Sequence, residues 1–135
     1  MGDIEIKIRQ ATKADIPSIM AFVDIYLRRD WMVPRRFLAY EISRGSVYIA
    51  ETGTILIAWA VCNDGRLWNL LVHPKYRGQR IGGAFMEHLK PHMIHSKSDQ
   101  STGDPIQFYE KLGYKRTQTG TGRKHNIDIM EIDTC

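Results

Sequence analysis

The run Pro74-Lys75-Tyr76-Arg77-Gly78-Gln79-Arg80-Ile81-Gly82-Gly83 combines glycines with fixed positive charge just ahead of a helical pattern. That combination suits an anion. Glycines let the backbone come close to a ligand, and the first turn of a helix leaves N–H groups without intrahelical acceptors, aimed at whatever lies above them. Arg77 and Arg80 add charge-assisted donors to those dipoles. The chemistry such a run can perform is the cradling of a diphosphate.

The cradle needs an element to feed it and one to follow it. Leu67 to Val72 reads as the incoming strand, His73 to Gly82 as the turn, and Gly83 to about Lys90 as the helix. Upstream, Ile4, Ile6 and Ile8 alternate with charged residues, the period of a half-buried strand. Thr12 and Asp15 resemble a capping box for a helix from Ala14 to Leu27, and Pro34 opens a second helix that Arg44-Gly45 ends. Val47 to Glu51 and Thr54 to Cys62 form two strands joined at Thr52-Gly53. Asn63-Asp64-Gly65 turns the chain into the strand at Leu67, so three antiparallel strands lead to the cradle. Downstream, Met93 to His95 makes one short strand. Asp104 and Pro105 cap a short amphipathic helix ending at Gly113, and Tyr114 to Thr117 pairs with Ile127 to Ile132. Gln118 to Asn126, rich in Gly, Thr and basic residues, reads as a loop. The expected class is α/β in the mixed α+β sense: a central, mostly antiparallel sheet flanked by about four helices.

At 135 residues and 43% hydrophobic content the chain fits one domain, residues 1–135, with its own core. No apolar run approaches the roughly 20 residues that span a bilayer, and the charged start is no secretory signal, so a cytoplasmic protein without membrane contact is expected. Cys62 and Cys135 make no disulfide framework, and Cys62 reads as a buried small hydrophobe. A formal charge of +4 favours an anionic ligand or partner. His88 and His92 stand four apart, yet Pro91 intervenes and no carboxylate or cysteine completes a set with His95, so no metal is expected.

Two strings then carry a family resemblance. Val72-His73-Pro74-Lys75-Tyr76-Arg77-Gly78-Gln79-Arg80-Ile81-Gly82 resembles the acetyl-CoA-binding signature of the GNAT superfamily of N-acetyltransferases: Arg or Gln, two residues, Gly, one residue, Gly or Ala. Phe108-Tyr109-Glu110-Lys111-Leu112-Gly113-Tyr114 resembles the family's helix whose tyrosine faces the thioester. Their order and spacing within the strand and helix pattern extend the resemblance over nearly the whole chain. It implies acetyl-CoA as co-substrate, with pantetheine along the backbone of Leu70, Leu71 and Val72. It also puts the pyrophosphate on Arg77, Gly78, Gln79, Arg80, Gly82 and Gly83, and Tyr109 as the acid that protonates the departing thiolate. Arg80 stands where the signature has a glycine, and any positive φ there would be costly. Thr102 matches the position where the family often has an asparagine.

The amine side is less determined. The strand before the cradle has Asn69 and no carboxylate, leaving Glu51, Asp64, Asp99 and His73 as candidate bases. Alternatively, Arg28, Arg29, Arg35 and Arg36 would disfavour a protonated amine. The acceptor is an amine on a small molecule, a protein or a nucleic acid, an acidic one being favoured by the basic residues, and a homodimer is compatible with the sequence. The alternative reading is a non-catalytic module on the same fold that binds CoA, nucleic acid or protein.

Overall fold

A computed structural model describes residues 5–26, 35–76, 80–97, 106–121 and 126–132. Seven strands form its centre: β1 (Lys7–Gln10), β2 (Val47–Thr52), β3 (Ile55–Asn63), β4 (Arg66–Val72), β5 (Met93–Lys97), β6 (Lys115–Thr121) and β7 (Asn126–Glu131). Their order in the sheet is β1-β2-β3-β4-β5-β7-β6. Every neighbouring pair is antiparallel except β4 with β5. Four α-helices accompany the sheet: α1 (Ile16–Tyr26), α2 (Arg35–Ser43), α3 (Ile81–Leu89) and α4 (Ile106–Lys111). The expected mixed class, with its antiparallel run into the cradle, is what the chain adopts.

Each face of the sheet carries a core. Ile57, Leu67, Ile94 and Met130 pack with Ile81 and Phe85 of α3 and Tyr109 of α4. On the opposite face Val47, Ile49, Trp59 and Val61 pack with Ile19, Phe22 and Val23 of α1 and Leu38 and Ile42 of α2. Strand β3 is therefore covered on both sides, and its sequence Ile55-Leu56-Ile57-Ala58-Trp59-Ala60-Val61-Cys62 is apolar without alternation, as a two-faced central strand requires. Cys62 is buried, and burial pushes its thiol pKa up, in keeping with a packing role.

Element ends differ from the sequence reading in instructive places. The central helix starts at Ile81 rather than Gly83, and β5 runs to Lys97. Strand β6 continues through Gln118 to Thr121, where the composition reads as loop. It is an edge strand, and a polar, glycine-bearing edge resists pairing with another chain, so its composition follows its position. No described helix is long and apolar enough to cross a membrane.

The entry to α1 is held by charge. Arg9 Nε donates to Glu51 Oε1 at 2.8 Å, while Nη1 and Nη2 donate to Asp15 at 2.9 and 2.8 Å. Asp15 in turn accepts from the Thr12 N–H at 2.7 Å, the reciprocal arm of the expected capping box. Chiefly through the Arg9 hydrogen bonds, the Asp15 carboxyl titrates at about 2. A depressed carboxylate contributes stability that is present above its unfolded pKa and lost as pH falls through the folded one. Asp15 should thus contribute up to about 2 kcal/mol at neutral pH. Arg9→Leu is expected to lower the unfolding midpoint at pH 6, with the deficit shrinking between about pH 4 and pH 2; urea titrations of both proteins across that range check it.

Candidate active site

The parallel contact between β4 and β5 is short. Arg66 pairs with Met93 and Leu67 with Ile94, and there the ladder stops. Beyond it β5 stays with β7, His95 opposite Ile129, while β4 stays with β3, Leu70 opposite Ala60 and Leu71 opposite Trp59. The parting has a local cause. Cys62 pairs with Leu67 and Val61 with Asn69, so Trp68 is an extra residue in β4 and the strand bends at that bulge. A fork opens in the middle of the sheet, bordered on one side by Leu70 and Leu71. Past Leu67, no described strand pairs with β4 on its β5 side.

At the far end of β4 the chain turns through Pro74–Tyr76 and enters α3 from Arg80. The first backbone bond of this helix is from Ala84 N–H to Arg80 C=O, 2.9 Å, so the N–H groups of Ile81, Gly82 and Gly83 precede the intrahelical ladder. The Arg80 side chain makes no cap hydrogen bond. Arg80 adopts φ 62° and ψ 22°, the left-handed region, so the position where the signature has glycine does require a positive φ, and arginine meets it. The two glycines differ in role. A Cβ at Gly82 would lie 3.0 Å from Phe108 Cζ, whereas one at Gly83 would meet nothing within 4 Å. Gly82 lets α4 approach α3, and Gly83 leaves open space above the helix start.

Tyr109 is 6% exposed and belongs to the α3 and α4 core. Burial, and secondarily Tyr114, holds its phenol well above the usual tyrosine range, so it stays protonated at any physiological pH. No described residue hydrogen-bonds its hydroxyl. Tyr114 differs: its hydroxyl donates to the Pro91 carbonyl, which fixes the end of α3 to the start of β6. Of the two buried tyrosines, Tyr109 alone has its hydroxyl uncommitted among the described residues.

The candidate bases fare unequally. Glu51 is bound to Arg9, and Asp64 is an exposed turn residue 3.9 Å from Arg44. His73 Nδ1 accepts from the Lys75 N–H at 3.0 Å, which in the neutral ring leaves the proton on Nε2 and no nitrogen to receive another. Asn69, opposite Val61, shares the α1 and α2 face. Asp99, Arg77, Gly78, Gln79, Thr102, Arg28 and Arg29 lie outside the described residues. His95, which the sequence offers only as a metal candidate, takes a different place in the fold. It follows the last paired residue of β5, just as Trp68 follows the last of β4, and the two rings stack across the fork with centroids 4.0 Å apart and planes 18° from parallel. The other two histidines of the metal reading lie elsewhere, His88 against Tyr48 and His92 against Gly65.

Residues 43–116, more than half of the chain and including β2 to β5 with the helices between, match the family model described as acetyltransferase (GNAT) domain. The chain belongs to the GNAT family. No curated protein matches this GNAT chain by sequence. Solved structures share its fold at low identity. Naa50 of Arabidopsis thaliana, solved with the bisubstrate analogue CoA-Ac-MVNAL, superposes with a TM-score of 0.75 at 15% identity, over 96% of this chain and 100% of that one. The ribosomal-protein-S18-alanine N-acetyltransferase of Escherichia coli gives 0.73 at 17%, over 95% and 93%. A polyamine N-acetyltransferase of Drosophila melanogaster gives 0.70 at 12%, over 93% and 98%. These likenesses establish the GNAT fold.

Proposed function

We propose that this chain is a single-domain, acetyl-CoA-dependent N-acetyltransferase that moves the acetyl group directly from the thioester to an amine. The observation that carries the proposal is the fork between β4 and β5, with the start of α3 along its course and Tyr109 on the α3 side. The fork fits the co-substrate. Leu70 and Leu71 offer strand-like backbone to the amides of pantetheine, and Ile81, Gly82 and Gly83 offer N–H groups to a pyrophosphate. Arg77, Gly78, Gln79 and Arg80 supply further donors, Val72 extends the strand, and Thr102, which matches the position of the family's frequent asparagine, is the proposed contact on the cofactor side.

The two proton transfers fall on opposite faces of the sheet. Tyr109 packs with α3 and α4, whereas His95 stacks on Trp68, which packs toward α1 and α2. An amine arriving from the α1 and α2 face gives its proton to the His95 imidazole, a group suited to accept one near neutral pH. Its nitrogen attacks the thioester carbonyl, and backbone N–H groups of β4 stabilise the oxyanion. Tyr109 donates to the sulfur as the carbon–sulfur bond breaks. The structural neighbours include a ribosomal-protein acetyltransferase and a polyamine acetyltransferase, so the fold itself does not select the acceptor, and that choice falls to side chains on the α1 and α2 face. An amine on a peptide, a nucleic acid or a small molecule is compatible with it.

Calorimetry with acetyl-CoA, followed by thiol release with a panel of amines, tests the proposal. Micromolar binding with turnover supports it. Absence of binding at high micromolar ligand would remove it, and tight binding without turnover over a broad panel would favour the non-catalytic module. Arg80 gives a sharper check. Left-handed backbone costs a non-glycine residue about 1 kcal/mol, partly offset by the larger unfolded-state freedom of glycine. Arg80→Gly should therefore raise the melting temperature slightly and weaken acetyl-CoA binding about fivefold through the lost guanidinium. Opposite signs on the two measurements are the expected outcome.

A further inference from the structure

Glu41 is a buried carboxylate in the wrong place for stability. It is 6% exposed and lies near the C-terminus of α2, where the helix dipole disfavours negative charge. Its partners explain it. Asn63 Nδ2 donates to Glu41 Oε2 at 3.2 Å, and Arg44 Nη1 reaches Oε1 at 3.5 Å. Trp68 Nε1 then donates to Asn63 Oδ1 at 3.1 Å, and the indole stacks on His95.

The polarity of this chain is fixed by chemistry. A carboxylate only accepts, so the Asn63 amide must turn its NH₂ toward Glu41; an indole only donates, so the remaining amide oxygen must face Trp68. Each link admits one orientation. Trp68 is the bulged residue of β4, the extra residue between the pairs Cys62–Leu67 and Val61–Asn69. We infer that Glu41, Asn63 and Trp68 form a positioning chain that sets the orientation of the His95 ring at the apex of the fork. The inference rests on the reading of His95 as proton acceptor only for its effect on turnover; the orientation of the ring is a separate observable.

The test therefore has two readouts. In wild-type protein the His95 ring protons, assigned by their loss in His95→Ala, should resonate upfield because of the indole ring current. In Asn63→Leu and Glu41→Leu that upfield shift should collapse. The kcat for acetyl transfer should fall about tenfold, as slight misplacement of a reacting group does, with the acetyl-CoA KM unchanged. Glu41→Gln, which keeps a carbonyl acceptor for Asn63, should restore most of both signals relative to Glu41→Leu. Asn63→Ala, which removes both hydrogen bonds without adding bulk, serves if the leucine variants fold poorly and should move both readouts the same way. An unmoved His95 shift in all of these variants overturns the chain. A collapsed shift with undiminished turnover keeps the orientation but overturns its part in the reaction. A wild-type protein without acetyl transfer sinks the functional reading, while the shift still decides the chain.

Discussion

Tyr109→Phe is expected to lower kcat about a hundredfold, the usual scale of a lost general acid, and to leave the dissociation constant of acetyl-CoA within about twofold. Only the hydroxyl is removed, since the ring remains to fill the same buried site between α3 and α4. Stability should hardly change, because no described residue hydrogen-bonds that hydroxyl. Tyr114→Phe is the contrast: it loses the bond to the Pro91 carbonyl, leaving an acceptor unmet, and should cost about 1–2 kcal/mol of stability with little direct effect on the chemical step. Stopped-flow measurement of thiol release for both variants, under conditions where chemistry limits the rate, separates the two tyrosines. Full turnover by Tyr109→Phe would show that another group, or water, protonates the thiolate.

The second large effect concerns the adjacent glycines of α3. Gly82→Val drives a Cβ to about 3.0 Å from Phe108 Cζ and adds two methyl groups beyond it. The displaced Phe108 carries α4, and with it Tyr109. The expected cost is about 1–3 kcal/mol of stability from overpacking, together with at least roughly tenfold weaker acetyl-CoA binding. Gly83→Ala should behave otherwise, because its Cβ enters open space. Alanine in a helix is preferred to glycine by about 1 kcal/mol, so the unliganded protein gains stability. If pyrophosphate rests against this turn, the same methyl group weakens binding. Thermal melts with and without acetyl-CoA show both effects in one experiment, and an undiminished ligand-induced shift in Gly83→Ala would move the cradle elsewhere.

The entry to α3 and the Tyr109 helix are legible because their signals are local: glycines, arginines and an amphipathic turn speak within a dozen residues. The motif marks Arg80 as the position where a positive φ would be costly, and whether the backbone takes it is decided by the fold. The fork was not. It depends on where β5 leaves β4, which a single bulge at Trp68 decides and no periodicity announces. His95 shared that fate, since its meaning comes from an aromatic partner 27 positions earlier in sequence, across the sheet. The second half of strand β6 has a loop's composition because its polarity reflects an edge position that only the assembled sheet defines. Arg77, Gly78, Gln79 and Thr102 rest on the motif alone.

The fork has a mechanical consequence. Strands β1 to β4 and strands β5 to β7 are two leaves bound along a spine of two backbone pairs, with α3 and α4 bracing one side. A ligand laid along Leu70 and Leu71 would act as the missing strand and turn two leaves into one continuous sheet. Cooperativity of unfolding then becomes a property of the loaded protein more than of the empty one, and slowed amide exchange at β4 and β5 would register the closing of the book.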